Sequence, residues 1–149
     1  MNLTKESEYA LKGLALLARH PPGEVVSLAE IAEVQQLPST FLAKIFQKLA
    51  RHGLLEAERG RGSGYTLRET PSGIRVRDVI EAIEGPMALG RCVLWAGTCS
   101  EAEPCPLHHR LREFRSHLDR VLDEVTLAEY AEVSIHGKSP NSEDSGVTS

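Results

Sequence analysis

The chain has 149 residues, 41 % hydrophobic and 26 % charged, enough for one domain with an appendage and too few for two enzyme-sized cores. These are ordinary globular proportions, and they exclude a fibrous or wholly disordered protein. No run of 18 apolar residues exists, and Met1 to His20 interleave charged with apolar positions, so no membrane span or signal peptide is expected and the cytoplasm is the expected location. The net charge of −4 hides an asymmetry: residues 38–68 carry six lysines and arginines against two acids, while the segments on either side are net acidic. A local cationic face suits a nucleic-acid surface, because only the contacting side must neutralise phosphates; a solvated basic face is the plain alternative.

Thr4 is placed to cap a first helix, with Glu6 in its first turn and Ala10, Leu11, Leu14, Ala15, Leu17 and Ala18 at helical spacing; Pro21, Pro22 and Gly23 end it. Ser27 and Glu30 have capping-box spacing ahead of a short second helix to about Gln35. After the break Gln36-Leu37-Pro38, Ser39 is expected to cap a third helix whose apolar face is Phe41, Leu42, Ile45, Phe46 and Leu49, with Gly53 stopping it. The opposite stripe is Thr40, Lys44, Gln47 and Arg51. Two helices joined by a tight turn, the second bearing a polar and basic stripe, read as a helix-turn-helix with a recognition helix. Lys44 and Gln47 suit base edges, while Ser39, Lys48 and Arg51 suit phosphates.

Leu55, Ala57, Tyr65 and Leu67 alternate with polar residues around Gly60-Arg61-Gly62-Ser63-Gly64, the pattern of a β-hairpin with a flexible tip. Directly after a recognition helix such a hairpin is a wing, and Arg59 and Arg61 are placed to enter a minor groove. It is not a nucleotide loop, since it joins two strands and no Gly-Lys-Ser/Thr follows. Val76, Val79, Ile80 and Ile83 predict a fourth helix that stops at Gly85-Pro86, before a loop-like stretch to Cys105. From about Pro106 a long helix carries Leu107, Leu111, Phe114, Leu118, Val121 and Val125, a 3.5-residue period that marks a coiled-coil seam and hence a homodimer. Thr126 to Val133 is expected to pack back on that helix, and the polar tail to be disordered. The fold class is mainly α with a small β-hairpin wing, divided into a winged helix-turn-helix domain (1–85), a cysteine-rich loop (86–105), a dimerisation helix with its packing segment (106–134) and a tail (135–149).

Cys92, Cys99 and Cys105 fall within fourteen residues and are the chain's three cysteines. An odd number in a reducing compartment points to metal ligation or redox chemistry rather than a disulfide framework, with three unrelated buried thiols as the alternative. Thiolates suit zinc, Cu(I) or iron-sulfur clusters; the C-x2-C pair of structural zinc knuckles is absent, and the wider gaps favour a larger metal-sulfur unit while leaving zinc open. His108, three residues after Cys105, is the nearest fourth ligand, and Glu8 becomes one only if the fold brings it close. Trp95, inside the loop, is a packing residue or a shield, and His109 and His117 read as surface residues. An enzyme would need Cys105 as nucleophile with His108 or His109 as base, and no third orienting residue is visible, so no enzyme is expected.

Leu3-Thr4 with Glu8-Tyr9-Ala10, the segment Ser27-Leu28-Ala29-Glu30-Ile31-Ala32, Phe41-Leu42 to Gly53-Leu54, the wing Arg59-Gly60-Arg61-Gly62-Ser63-Gly64-Tyr65, the three cysteines, Cys105-Pro106-Leu107 and Thr126-Leu127-Ala128-Glu129 together resemble the Rrf-two family of winged-helix transcription regulators, over about residues 1–134. The resemblance implies a dimeric repressor or activator that binds a pseudo-palindromic double-stranded DNA operator. Its cysteine loop would hold a 2Fe-2S or 4Fe-4S cluster reporting iron-sulfur supply, nitric oxide or redox state. In one branch of the family a histidine three residues after the last cysteine completes the site, which His108 matches. In another a carboxylate at the position of Glu8, reaching across from the partner subunit, does so. Two positions depart from the pattern: the gap between Cys92 and Cys99 is one residue longer than the common five, and Ser63 replaces a usual glycine. A winged-helix DNA binder with structural zinc or no metal, and a winged helix that binds protein instead of DNA, are the other readings.

Overall fold

A computed structural model of the chain describes residues 4–85 and 101–136. The elements in order are α1 (Lys5–Arg19), α2 (Leu28–Gln35), α3 (Ser39–Arg51), β1 (Leu55–Glu58), β2 (Gly64–Leu67), a 3-10 turn (Pro71–Gly73), α4 (Val76–Glu84), α5 (His108–Glu124) and α6 (Leu127–His136). The caps follow from short polar side chains at the helix starts. Thr4 accepts a hydrogen bond from the Ser7 N–H and Ser27 accepts one from the Glu30 N–H at 3.2 Å, satisfying donors that have no partner within the helix. Gln36 turns the chain out of α2 with φ at 53°, and Gly53 does so after α3 with φ at 77°. At α3 the expectation is corrected: the N-cap is Pro38, which makes no side-chain cap, and Ser39 is the first helical residue. Proline has no donor to lose and its fixed φ suits the chain entering a helix.

The core is built where α1, α2, α3 and α4 meet, around Leu14, Ile31, Leu42, Ile45, Phe46, Leu49, Val79 and Ile80, each essentially inaccessible. In the wing, Leu55 pairs with Leu67 and Ala57 with Tyr65. Tyr65 also exchanges two backbone hydrogen bonds with Val26, at 3.0 and 2.9 Å, so the hairpin is tied to the residue just before the Ser27 cap of α2. Gly60 and Gly62 both have positive φ, 92° and 74°, which lets a five-residue tip close with the Ser63 N–H on the Gly60 carbonyl.

Beyond the winged unit the sequence expectations need amendment. The segment from Thr126 does form a helix, α6, but it packs along α1 and the 3-10 turn instead of on α5, because Leu127 and Ala131 are drawn into the main core. The elbow between α5 and α6 is stitched to the start of α4: the Val76 N–H donates to the Val125 carbonyl at 3.0 Å, and the Leu127 N–H to the Ile74 carbonyl at 2.8 Å. Val125, the last position of the predicted seam, thereby turns to the core with Leu122. Leu107, Phe114 and Val121 stay exposed along α5, and Leu111 and Leu118 are half-buried. Ile135 and His136, assigned to the tail, close α6; the rest of the tail lies outside the described residues, as do residues 86–100 with Cys92, Cys99 and Trp95. Among the described residues no helix is long and apolar enough to cross a membrane.

Candidate functional site

Burial of Leu42, Ile45, Phe46 and Leu49 fixes the rotation of α3 about its own axis. The consequence is that Thr40, Lys44, Gln47 and Arg51 are all exposed along the outer side, with Ser39 at the exposed N-terminal turn. Between the end of α3, the start of α2 and the wing runs an open cleft of about 670 Å³. Gln47 and Arg51 line it from the helix and Glu58, Arg59, Ser63 and Tyr65 from the wing. The fold therefore brings Gln47, Arg51 and Arg59 to one cleft, while Thr40 and Lys44 lie farther toward the helix start and Arg61 is exposed at the wing tip. Among the described residues Lys44, Arg51, Arg59 and Arg61 stand in no ion pair. Lys48 differs: its Nζ is 2.6 Å from Glu6 Oε2 of α1.

Of the predicted metal ligands, Cys105 and His108 are described, and both are buried, at 4 % and 8 % exposure. The His108 N–H donates to the Cys105 carbonyl at 2.9 Å, so the two residues share the turn that opens α5. The His108 ring meets that of His109 edge-on at 5.4 Å. Glu101 Oε1 lies 3.7 Å from His108 Nε2 and 2.6 Å from an Arg112 guanidinium nitrogen; the hydrogen bond from Arg112 holds the Glu101 carboxyl below its usual range. A buried thiol and a buried imidazole one turn apart, with a carboxylate beside the imidazole, form a donor set suited to a soft metal centre. Among the described residues alone no group of three or more potential ligands forms.

Glu8 is placed elsewhere in its bonding. Lys12 and Lys5 donate to its two carboxylate oxygens at 2.7 and 3.0 Å, and these bonds, that from Lys12 first, keep its carboxyl below the ordinary range. Nearby, the Thr4 N–H, the Thr4 hydroxyl and the Ser7 hydroxyl all donate to Glu84 Oε1, at 3.0, 2.9 and 2.6 Å. The chain thus leaves α4 for the cysteine-bearing segment from beside the N-terminus of α1.

The sequence model of the Rrf2 (Rrf-two) family, described as an iron-dependent transcriptional regulator, matches residues 3–132. The chain belongs to the Rrf2 family. It is similar to the HTH-type transcriptional regulator IscR of Escherichia coli (strain K12 / DH10B), 32 % identical over 129 residues that span 87 % of this chain and 79 % of that protein. Among solved structures it resembles CymR (YrzC), the global cysteine regulator of B. subtilis, with a TM-score of 0.73 and 26 % identity over 89 % of this chain and 98 % of that one. It also resembles T. potens IscR, with a TM-score of 0.69 and 25 % identity over 98 % and 94 % of the two chains. This Rrf2 protein is accordingly a winged-helix, DNA-binding transcription regulator and not an enzyme.

Several functional groups of this Rrf2 chain were not visible in its sequence. Glu6 and Lys48 are 42 positions apart and Ser7 and Glu84 are 77 apart, so neither pair has a local spacing signal. Arg77, which binds Asp119 and Asp123 of α5 at 2.6 and 3.1 Å, likewise reads in sequence only as one charge on the polar side of α4. Glu58 in the cleft carried a signal that was passed over: it is an acid directly preceding Arg59.

Proposed function

We propose that this Rrf2 regulator acts as a cytoplasmic homodimer that reads a pseudo-palindromic operator and senses iron-sulfur status, nitric oxide or redox state through an iron-sulfur cluster held by Cys92, Cys99, Cys105 and His108. The carrying observation is the buried turn at the start of α5, where Cys105 and His108 face little water and share a backbone hydrogen bond. That turn favours His108 over Glu8 as the fourth ligand, since the Glu8 carboxylate already accepts from two lysines. A bound cluster would supply an electron-accepting and ligand-exchanging centre. The chain's own part is to connect that centre to the reading head: the cysteine-bearing segment runs from Glu84, anchored to Thr4 and Ser7, to the first turn of α5.

The homodimer reading is supported by the exposed Leu107, Phe114 and Val121, an apolar stripe a lone chain would leave wet. For DNA, Ser39, Thr40, Lys44, Gln47 and Arg51 on α3 would lie in a major groove and Arg59 and Arg61 of the wing in the neighbouring minor groove. Lys44 and Gln47 read bases; Ser39, Arg51 and, on the flank of the stripe, Lys48 hold phosphates. The test of the sensing half is anaerobic purification with an absorbance spectrum and iron, sulfide and zinc counts per chain. A brown protein with iron matched by sulfide, lost in Cys105→Ser and weakened in His108→Ala but not in Glu8→Gln, is expected. A colourless, iron-free protein after anaerobic reconstitution would overturn the sensor, and stoichiometric zinc would replace it with a structural site.

A further inference from the structure

Lys48 is the one cation of α3 that the described structure pairs with an acid. Its ammonium lies 2.6 Å from Glu6 Oε2, both side chains a little over one-third exposed. Glu6 sits in the first turn of α1, where the partial positive charge of the helix end favours a carboxylate. α1 packs against α3 through the shared core, so the backbone delivers Glu6 to this place whether or not DNA is near. Lys48 stands on the flank of the Thr40, Lys44, Gln47, Arg51 stripe, one turn beyond Lys44. The Glu6 carboxylate already engages the ammonium that a DNA phosphate would need.

We propose that Glu6 is an internal competitor for the DNA backbone: it neutralises Lys48 and holds down the affinity of the recognition helix for any duplex. The inference rests on the DNA interface proposed above. Sequence-independent affinity comes from neutralised phosphates and the counterions they release. A lysine already paired to a carboxylate releases none until that pair is broken. Because an ion pair exposed to this degree is weak, the competition is set by one hydrogen-bonded contact and yields to a single substitution.

The test uses the full-length protein and a fluorescein-labelled mixed-sequence duplex, with anisotropy titrations over a salt series. Glu6→Gln is expected to bind about three- to tenfold tighter at low salt, with the slope of log affinity against log salt steeper by about 0.9 per recognition helix. The double variant Glu6→Gln/Lys48→Ala is expected to lose that gain in both affinity and slope. Glu33→Gln, which removes the same charge from an exposed position on α2, is expected to leave the slope as it is. Unchanged binding by Glu6→Gln, a gain that survives in the double variant, or an equal gain from Glu33→Gln would each overturn the competition, provided circular dichroism shows the variants folded. Failure of the interface itself has a different signature: Lys44→Ala and Arg51→Ala would bind the duplex as the wild type does.

Discussion

Gly13 of α1 lies close against the ring of Phe46 in α3: a Cβ on Gly13 would stand 2.7 Å from Phe46 Cε1 and 2.8 Å from Cζ. Phe46 is fully buried on the face of α3 opposite the exposed stripe. This contact therefore sets how closely the recognition helix approaches α1, and with it where Lys44 and Gln47 point.

Gly13→Ala should destabilise the protein even though alanine is the better helix former. The gain in helix propensity is about 1 kcal/mol, whereas forcing a methyl into a closed core costs about 1–3 kcal/mol. Phe46 cannot swing into solvent, so the upper part of that range applies and the net loss is about 1–2 kcal/mol. Thermal melting followed by circular dichroism should show a drop of about 2–4 °C for each kcal/mol; a rise would mean that α1 and α3 separate freely.

Gly64→Ala tests the attachment of the wing. A Cβ there would collide with the Val26 carbonyl oxygen and stand 2.6 Å from its carbon, both backbone atoms of the bridge that ties Tyr65 to Val26. Backbone yields less than a side chain, so we expect a cost of about 2–3 kcal/mol and detachment of the hairpin from the foot of α2. Duplex binding should fall with it, since Arg59 loses its place in the cleft, while the near-native helical signal remains.

Arg51 and Gln47 line the same cleft and should fail differently. Arg51→Ala removes the proposed phosphate contact and should weaken binding to all sequences, lowering the salt slope by about 0.9 per head. Gln47→Ala removes the proposed base reader and should cost about 1–3 kcal/mol at one base-pair position of the proposed operator, with the slope unchanged. A binding-site selection experiment on both variants distinguishes the two; relaxed preference in Arg51→Ala instead would exchange the roles.

What the chain shows without a structure is what depends on neighbours within a few residues. The caps at Thr4 and Ser27, the breaks at Gly53 and Gly85, and the buried face of α3 are local matters of spacing and backbone freedom, and the structure has them where the residues predict. The placement of α6 was misread because Leu127 and Ala131 are apolar toward whichever partner is available, and the pattern alone does not name it; α1 was the partner rather than α5. Ser39 resembled a cap because its side chain suits one, while the preceding Pro38 already has the extended backbone an N-cap needs. The basic stripe was legible as charge, yet Lys48 looked equivalent to its neighbours until the fold set Glu6 against it. Of the predicted ligands, Cys105 and His108 share one buried turn, as a three-residue spacing at a helix start dictates, while Cys92 and Cys99 lie outside the described residues.

Arg77 clasps α5 to α4 beside the elbow that joins α5 to α6. The C-terminal elbow of α5 is pinned by backbone hydrogen bonds from Val76 to Val125 and from Leu127 to Ile74. Its C-terminal third is also held to α4 by Arg77, through Asp119 at 2.6 Å and Asp123 at 3.1 Å, with Arg75 farther from Asp123 at 3.8 Å. The other end of the helix carries His108 and the proposed ligands. Arg77 thus ties the last third of α5 to α4 of the winged unit, beside the elbow. Arg77→Met keeps the aliphatic stem and removes the charges. Since half-exposed pairs contribute about 0–1 kcal/mol each, the melting temperature should fall by only a few degrees. Hydrogen exchange should nevertheless quicken over α5 from His108 to Asp119 while α1 and α3 keep their protection. Equal protection of α5 in the variant and the wild type would show that the elbow alone holds the helix, and would remove Arg77 from the path between the cysteine segment and the reading head.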